Sequence, residues 1–331
     1  MPSFVLTGSI PSFSIQASDV LLMTGATDNH ALGSFNCLYS MVLANPYASI
    51  LYINYGLEEN HVELLKAHFI SIHEIHIKMK SNAILGYRQF NWSNFPSWIS
   101  LFGNSEQRGG YAWKMVAYSD AVFEWKAVVG WLDGGSIIID SLNREMTAVR
   151  QFGVFSPASA GTLQAWVHND TLEYLRDHHY ITKVNMKRAM SCGGHLFTYW
   201  NNQTVINRFM IPYRECAFTQ KCVTPRRANM RNHRQDQAIV SVLLAELNVP
   251  RSSDGKYHWI PALRQERGNN EKATKTVLFN LFLNIQNTYG IRFNNSFYPT
   301  TNIHYTHQHY KFASRRMDPE WPSSVCSIEY Q

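Results

Sequence analysis

The chain has 331 residues and a formal net charge of +6; 16% of its residues are charged, 45% hydrophobic and 13% aromatic. This low charge and high apolar content exclude an intrinsically disordered chain, which needs the opposite balance. The basic excess favours anionic ligands but is too small to require nucleic acid as a partner. The length suits two ordinary domains or one large one.

No segment predicts membrane insertion. The longest apolar stretches end well short of the roughly 18 residues that span a bilayer. Residues 1–10 carry no basic residue before an apolar core, so they do not have the pattern of a signal peptide. We therefore expect no membrane span in this chain.

Five cysteines are spread over the sequence, at positions 37, 192, 216, 222 and 326. They form no Cys-x-x-Cys pair, so a structural zinc site is not expected. Cys216 and Cys222 are close enough to form a disulfide, but two buried thiols fit the sequence equally well.

The first 135 residues alternate between short apolar runs and amphipathic stripes. The run at 20–24 predicts a buried strand, and the apolar spacing that begins at Phe35 predicts a helix that Pro46 ends. The same criteria predict strands at 49–54, 72–77 and 127–132, helices at 58–69 and 112–125, and a surface loop at 81–110. Strands that alternate with helices indicate parallel βαβ units.

The second half is less regular. It predicts strands at 153–156 and 195–200, helices at 139–151, 169–175, 235–247 and 274–285, and a long loop at 251–272. The simplest organisation is one α/β domain over 1–250, with a mostly parallel central sheet flanked by helices. Its halves are 18–135 and 136–250, and an extension over 251–331 packs on the same domain.

The segment 128–135, Val-Val-Gly-Trp-Leu-Asp-Gly-Gly, places an acid directly after an apolar strand. Open α/β sheets bind ligands at this end of their strands. Gly134 and Gly135 allow a ligand to approach the backbone closely. Asp133 is therefore predicted to hold a divalent cation, which in turn holds a diphosphate. The alternative is an aspartate that only caps the turn.

The segment 226–237 carries four arginines and a histidine just before an amphipathic helix. Helix N-termini and arginine side chains both bind phosphate oxygens. Asp236, in the first turn, is a candidate general base or an orienting group for an acceptor hydroxyl. The alternative is a solvated basic loop, in which Asp236 serves only the helix dipole.

Three histidines lie close together near the C-terminus, in the pattern His304-x-x-His307-x-His309. Alternate positions on a strand face one side, so His307 and His309 are candidates to share a metal. Separate hydrogen-bonded histidines are the alternative.

Together these segments resemble a GT-A type nucleotide-sugar glycosyltransferase. Asp133 in Trp-Leu-Asp and the late Asn-His-Arg-Gln-Asp-Gln at 232–237 carry the resemblance, and Tyr111-Ala-Trp-Lys114 precedes the strand as in transferases with a Trp-Lys helix. Further segments are similar to poorly characterised eukaryotic and viral members: 153–161, 166–175, 192–194 and 216–225. The resemblance spans 18–248 and implies a GT-A-like fold with a Rossmann-like nucleotide-binding half.

The resemblance implies a role for each matching residue. Lys114 would face the diphosphate, and Asp133 would stand for one acid of an Asp-x-Asp motif. Asp236 and Gln237 would be catalytic, near the reacting sugar carbon and the acceptor. The other residues implied to bind the nucleotide sugar are Thr24, Gly25 and Ala26 (against base and ribose), Gly134, Gly135, Arg231, His233 and Arg234.

The sequence departs from the family pattern where a second acid is expected. Glycines follow Asp133, and Mn²⁺ or Mg²⁺ prefers several oxygen ligands. Either His307 and His309 complete a metal site with Asp133, or arginines of 226–234 replace the cation.

The implied reaction is transfer of a sugar from a nucleotide diphosphate sugar to a hydroxyl of a glycan or glycoprotein. Two alternatives remain: a metal-dependent hydrolase, and a catalytically inactive sugar-binding module. The candidates for stacking on sugar rings are Trp92, Trp98, Trp166 and Trp200. A cytoplasmic viral or microbial enzyme is predicted, with a Golgi-lumen catalytic domain as the alternative.

Overall fold

The computed structural model describes residues 20–99, 109–138, 141–250 and 263–265. Ten strands occur in these ranges: β1 (Val20–Ala26), β2 (Ser49–Asn54), β3 (Leu85–Gln89), β4 (Val128–Leu132), β5 (Ser136–Ile138), β6 (Val154–Phe155), β7 (Ala158–Thr162), β8 (Ala189–Ser191), β9 (His195–Tyr199) and β10 (Leu263–Gln265). Six of them form the central sheet in the order β3-β2-β1-β4-β9-β6, and β5–β10 and β7–β8 form two small ladders.

The central sheet is parallel from β3 to β4, and β9 runs antiparallel to both of its neighbours. Strands β1 and β4 lie in the middle, buried on both faces, which explains their continuous apolar sequences. The strand order reverses direction between β1 and β4. Ligands of open α/β sheets bind beyond the carboxyl ends of the strands at such a point.

Helices cover both faces of the sheet. They are α1 (Ala31–Ala44), α2 (Glu59–Lys78), α3 (Ala112–Trp125), α4 (Asn143–Phe152), α5 (Leu163–Trp166), α6 (Asn169–Asp177), α7 (Gln203–Val205), α8 (Ile211–Ala217), α9 (Gln220–Val223) and α10 (Gln235–Glu246), with a π-helical turn at Ile206–Met210. One core packs α1, α2 and α4 on Leu22 of β1, and the other packs α3, α8 and α10 on Leu21 and Met23. Alternate side chains of a strand thus serve opposite cores.

The predicted α/β class, with a mostly parallel sheet flanked by helices, is confirmed. The predicted strand at 72–77 is wrong, because this segment is the end of α2. Ile72 and Ile75 are buried, whereas Ile77 is 61% exposed, which is a helical spacing and not an alternation. The loop predicted at 81–110 contains β3, a polar strand at the edge of the sheet.

Other boundaries also differ from the predictions. The helix predicted at 139–151 begins only at Asn143, and β5 precedes it. The loop predicted at 251–272 contains β10, which pairs antiparallel with β5. The predicted helix at 274–285 lies outside the described residues, and the division into 1–250 and an extension stays a prediction.

The helical segment 203–223 was not predicted. Its short helices are separated by a π-helical turn and a loop, so no long apolar stripe marks them. Cys216 and Cys222 form a disulfide between α8 and α9, which decides between the two states that the sequence left open. Within the described ranges, no helix is both long and apolar enough to cross a bilayer.

Candidate active site

Lys114 stands between two aspartates at the carboxyl edge of the central sheet. Its Nζ atom lies 2.5 Å from Oδ2 of Asp236 and 3.4 Å from Oδ1 of Asp133, and it donates a hydrogen bond to the carbonyl of Gly193. The side chains of Lys114 and Asp236 are 7% and 6% exposed, whereas that of Asp133 is 35% exposed. We refer to Lys114, Asp133 and Asp236 as the charged triad. It is a buried ion pair beside a carboxylate that is open to solvent.

The start of helix α3 positions Lys114. Gly110 and Tyr111, directly before the helix, both have positive φ angles, which glycine adopts without steric cost. A Cβ atom on Gly110 would lie 2.6 Å from a side-chain carbon of Val223. Glycine therefore allows the helix to begin against the segment that leads to α10, with Lys114 in its first turn.

Asp133 is held rigidly at the end of β4. Its backbone N–H donates to the carbonyl of Gly194, and the indole Nε1 of Trp131 donates to its Oδ1 at 2.6 Å. The other oxygen, Oδ2, lies against Gly194, where an added Cβ atom would approach it to 2.7 Å. Any side chain at 194 would therefore press on Oδ2.

Asp236 lies in the first turn of α10, where the helix dipole favours a negative charge. The next residue, Gln237, donates from Nε2 to the carbonyl of Ser191 at 2.8 Å. A Cβ atom on Gly193 would lie 2.9 Å from that of Gln237 and 3.3 Å from Oδ2 of Asp236. The loop between β8 and β9 therefore packs directly on both predicted catalytic residues.

Gly193 and Gly194 are site residues to which the sequence analysis gave no role. They separate Asp133 from Asp236, and either side chain would collide with one of the two acids or with Gln237. The consecutive glycines before an apolar strand were the available signal, because such pairs mark close backbone packing.

Burial and the neighbouring charges set the protonation of the triad. Burial raises the pKa of Asp236 to about 6, although the ammonium of Lys114 acts in the opposite direction. Burial disfavours the charge on Lys114, but Asp133 and Asp236 outweigh it and raise the pKa of Lys114 above its ordinary value. Lys114 is therefore charged at neutral pH, and Asp236 is close to its titration range.

His195 also borders the triad. It is buried at the start of β9, and its Nε2 lies 2.8 Å from the hydroxyl of Ser136. Burial lowers its pKa to about 4, so the ring is neutral. This contact fixes the turn that follows Asp133.

The predicted nucleotide residues of β1 lie beside this turn. Thr24 and Ala26 are buried, and Gly25 is enclosed so tightly that a Cβ atom would lie 2.4 Å from the carbonyl of Ile53. A Cβ atom on Gly134 would lie 3.4 Å from the carbonyl of Gly25. The structure thus brings Gly25 and the Asp133 turn together, as expected for two strands at the point where the order reverses.

The basic loop before α10 is held in place by a buried histidine. His233 is fully buried: its Nδ1 accepts from the N–H of His168, and Nε2 donates to the carbonyl of Val223. Burial lowers the pKa of His233 to about 4, so the neutral ring anchors the loop and has no nitrogen left for a ligand. The guanidinium of Arg234 lies 4.1 Å from the ring centre of Trp166, and Arg231 is exposed.

The four tryptophans considered for sugar stacking lie in different places. Trp92 is half-buried in an aromatic cluster with Tyr55, Phe90 and Trp113. The ring of Trp166 already packs against the guanidinium of Arg234. Trp200 packs edge-on against Phe123, and Trp98 is half-buried on the core.

The resemblance implies a divalent cation, and one group of the triad fits it. The side chain of Asp133 is partly exposed, whereas Asp236 is buried and engaged by Lys114. Mg²⁺ often binds through one or two carboxylates together with substrate phosphates, and Asp133 suits such a role. In the described part of the chain no three His, Cys, Asp or Glu side chains gather into a metal site, and His307 and His309 lie outside it.

No protein-family model matches the sequence, and no curated protein sequence matches it. Solved structures of glycosyltransferases are similar in fold. Core-mannan synthase A of Aspergillus fumigatus, in an Mn/GDP form, has 10% identity and a TM-score of 0.47, with 78% of this chain and 76% of that chain covered. The S. cerevisiae mannosyltransferase Ktr4p has 9% identity and a TM-score of 0.49, with 76% and 70% covered.

The galactosyltransferase LgtC, in complex with donor and acceptor sugar analogs, has 14% identity and a TM-score of 0.40, with 78% of this chain and 95% of that chain covered. Identities and scores this low describe a distant likeness of fold and assign no activity to this chain.

Proposed function

We propose that the protein is a glycosyltransferase that moves a sugar from a nucleotide diphosphate sugar to a hydroxyl of a glycan or glycoprotein. The observation that carries the proposal is the charged triad. It lies where the strand order reverses between β1 and β4, the usual ligand site of such a sheet, and combines a partly exposed carboxylate with a buried acid whose pKa is about 6.

In the proposed reaction the bond between the anomeric carbon and the diphosphate oxygen breaks, and the carbon bonds to the acceptor oxygen. Asp236 takes up the acceptor proton, for which a pKa near the working pH is well suited. Lys114 keeps Asp236 in place, and Gln237 lies beside it in the first turn of α10. A divalent cation bound at Asp133 would offset the charge of the departing diphosphate.

From the larger predicted set, the proposed nucleotide site keeps Thr24, Gly25 and Ala26 at the end of β1, Lys114, and the Asp133–Gly135 turn. Arg231 is retained as an exposed candidate for the donor phosphates. The proposed nucleotide site does not include His233, because both of its ring nitrogens form hydrogen bonds with backbone groups.

The disulfide bears on the compartment. Disulfides persist in oxidising compartments and are rare in the cytosol. The Cys216–Cys222 bond therefore favours a luminal or secreted location over the predicted cytoplasmic one.

A panel of nucleotide sugars tests the proposal. We expect one donor to release its nucleotide with the wild type, and Asp236→Asn to lower turnover by roughly 10²–10⁴-fold while nucleotide binding persists. Asp120→Asn, which changes an aspartate paired with Arg214 on the surface, is the matched control.

Two results, one from the panel and one from a parallel assay with simple esters, would contradict the proposal. Binding without turnover of any donor would indicate the sugar-binding module. Hydrolysis of simple esters that Asp236→Asn leaves intact would indicate a hydrolase.

A further inference from the structure

We propose that Arg234 and Trp166 form a binding site for an anionic group, a carboxylate or a phosphate, on the sugar acceptor. The inference rests on the proposed function, since it concerns the acceptor whose hydroxyl meets Asp236. It goes further by naming the chemical class of that acceptor, a sugar that carries a negative charge.

The guanidinium of Arg234 is a buried charge without a counter-ion. The residue is 6% exposed, and among the described residues its side chain has no ion-pair or hydrogen-bond partner. Its guanidinium lies 4.1 Å from the ring centre of Trp166. Burial lowers the pKa of Arg234 below its ordinary value, but an arginine stays protonated at neutral pH. Buried charges are normally paired, so this one calls for an anion from a ligand.

The contact with Trp166 leaves the donors of the guanidinium available. An arginine that lies over an aromatic ring keeps its N–H groups in its own plane, where they match two oxygens of a carboxylate or phosphate. Every fully enclosed polar side-chain atom that lacks a partner in the described ranges belongs to another residue. The nitrogens of Arg234 therefore still border accessible space, from which a ligand can approach.

Hydrogen bonds and close packing fix the position of the pair. The backbone N–H of Arg234 donates to the carbonyl of Trp166, and a Cβ atom on Gly161 would collide with the indole, so the ring lies against the backbone of β7. The N–H of His168 donates to the ring of His233 and joins the same two segments. A ligand therefore meets a prearranged cation and does not have to order a flexible one.

The position of the pair favours the acceptor over the donor. Asp236, the proposed base, closely follows Arg234 in the first turn of α10. Lys114 and Gly193 take up the side of Asp236 that faces Asp133, where the donor diphosphate is proposed to lie. Arg234 instead packs on α5, which supplies no residue to the proposed nucleotide site. This assigns Arg234 to the acceptor, whereas the resemblance implied the nucleotide sugar.

Sugars that differ at a single carbon test the inference. Methyl glycosides of glucose, galactose and mannose are compared, each as the neutral sugar, the 6-carboxylate and the 6-phosphate. Each is titrated by calorimetry without donor and then used as an acceptor in the nucleotide-sugar assay. We expect at least one anionic form to be preferred over its neutral counterpart by roughly tenfold or more, as for a hydrogen bond to a charged group. The two anionic series show whether the site takes a carboxylate or a phosphate.

Variants trace the preference to Arg234. Arg234→Gln removes the charge and should abolish the preference, and Arg234→Lys keeps the charge without the planar fork and should retain only part of it. Arg150→Gln removes the same charge from an exposed position in α4 and should leave the preference intact. This control separates a local site from the general attraction of a basic protein for anions. Thermal unfolding checks that each variant is folded.

The ways to fail are distinguishable. Equal binding and equal use of the neutral and anionic forms by the wild type overturns this inference and leaves the proposed function standing. A loss of affinity for GDP or UDP in Arg234→Gln, with the acceptor preference unchanged, also overturns it, because Arg234 would then belong to the donor site. The proposed function fails if no nucleotide sugar is used with any acceptor; the calorimetry, which needs no donor, still decides whether the anion site exists.

Discussion

Lys114 has an unusual position for a lysine, because it is buried and faces two acids. Removing one partner of a buried ion pair typically costs about 3–5 kcal/mol, since the other charge is left without compensation. Variants of Lys114 would therefore confuse a loss of folding with a loss of function. The glycines that border the triad offer cleaner tests.

We expect Gly194→Ala to lower the affinity for GDP or UDP in the presence of Mn²⁺ by roughly tenfold, the loss of one contact to a charged group. The added methyl group would press on Oδ2 of Asp133, because a Cβ atom at this position would lie only 2.7 Å from that oxygen. Calorimetric titration of the nucleotide measures the effect.

The control for this variant is Gly86→Ala in β3, where the new Cβ atom would meet the movable side chain of Leu51 at 3.1 Å. It should change stability without changing nucleotide affinity. Equal affinities for the wild type and Gly194→Ala would show that Oδ2 of Asp133 does not contribute to nucleotide binding.

Helix α2 carries two histidines that have little to do with the site. His68 bonds through Nδ1 to the hydroxyl of Tyr39, and His76 is 1% exposed with no hydrogen-bond partner for either ring nitrogen in the described structure. Burial lowers the pKa of both to about 4. Both rings are therefore neutral in the folded protein at neutral pH.

The protein should consequently lose stability in acid. The unfolded chain binds protons near pH 6.5, whereas the folded state resists them until about pH 4, so stability is complete above pH 6.5 and falls as the pH drops from 6.5 to 4. For His76 we expect a loss of about 2 kcal/mol between pH 6.5 and 5. Urea unfolding at several pH values measures it.

His76→Leu should reduce this pH dependence, and Ile70→Leu, which changes an exposed residue of the same helix, should leave it unchanged. If the two variants have the same pH dependence, the buried neutral histidine is not its cause.

The α8–α9 disulfide should stabilise its segment. A bond that closes so short a loop contributes about 2 kcal/mol through the entropy of the unfolded chain. We expect Cys216→Ser/Cys222→Ser to lower the free energy of unfolding by this amount, measured with urea. An unchanged free energy, or free thiols at both positions in peptides mapped without reduction, would contradict the bond.

The sequence predicted the centre of the fold better than its margins. Strands β1, β2 and β4 are continuous apolar runs, and buried parallel strands typically have that pattern. Edge strand β3 is polar, and the isoleucines at the end of α2 fit two periodicities over a short window. Their structure depends on tertiary packing, which a local pattern does not contain.

The site, too, was predicted only as far as local patterns reach. Asp133 and Asp236 were predicted because each follows or opens a recognisable element, and Lys114 was predicted from the resemblance. That Lys114 pairs with Asp236, and that Gly193 and Gly194 lie between the two acids, depends on the antiparallel pairing of β9 with β4. No local sequence pattern predicts that β9 pairs with β4.

The antiparallel strand β9 has a kinetic consequence. Lys114 and Gly193 are 79 residues apart in the chain and meet only after β9 has paired with β4. Contacts over such separations form slowly, because the chain loses the entropy of the loop before it gains the contact. During refolding, helical structure should therefore return well before the ability to hold a ligand, which exists only in the nearly complete molecule.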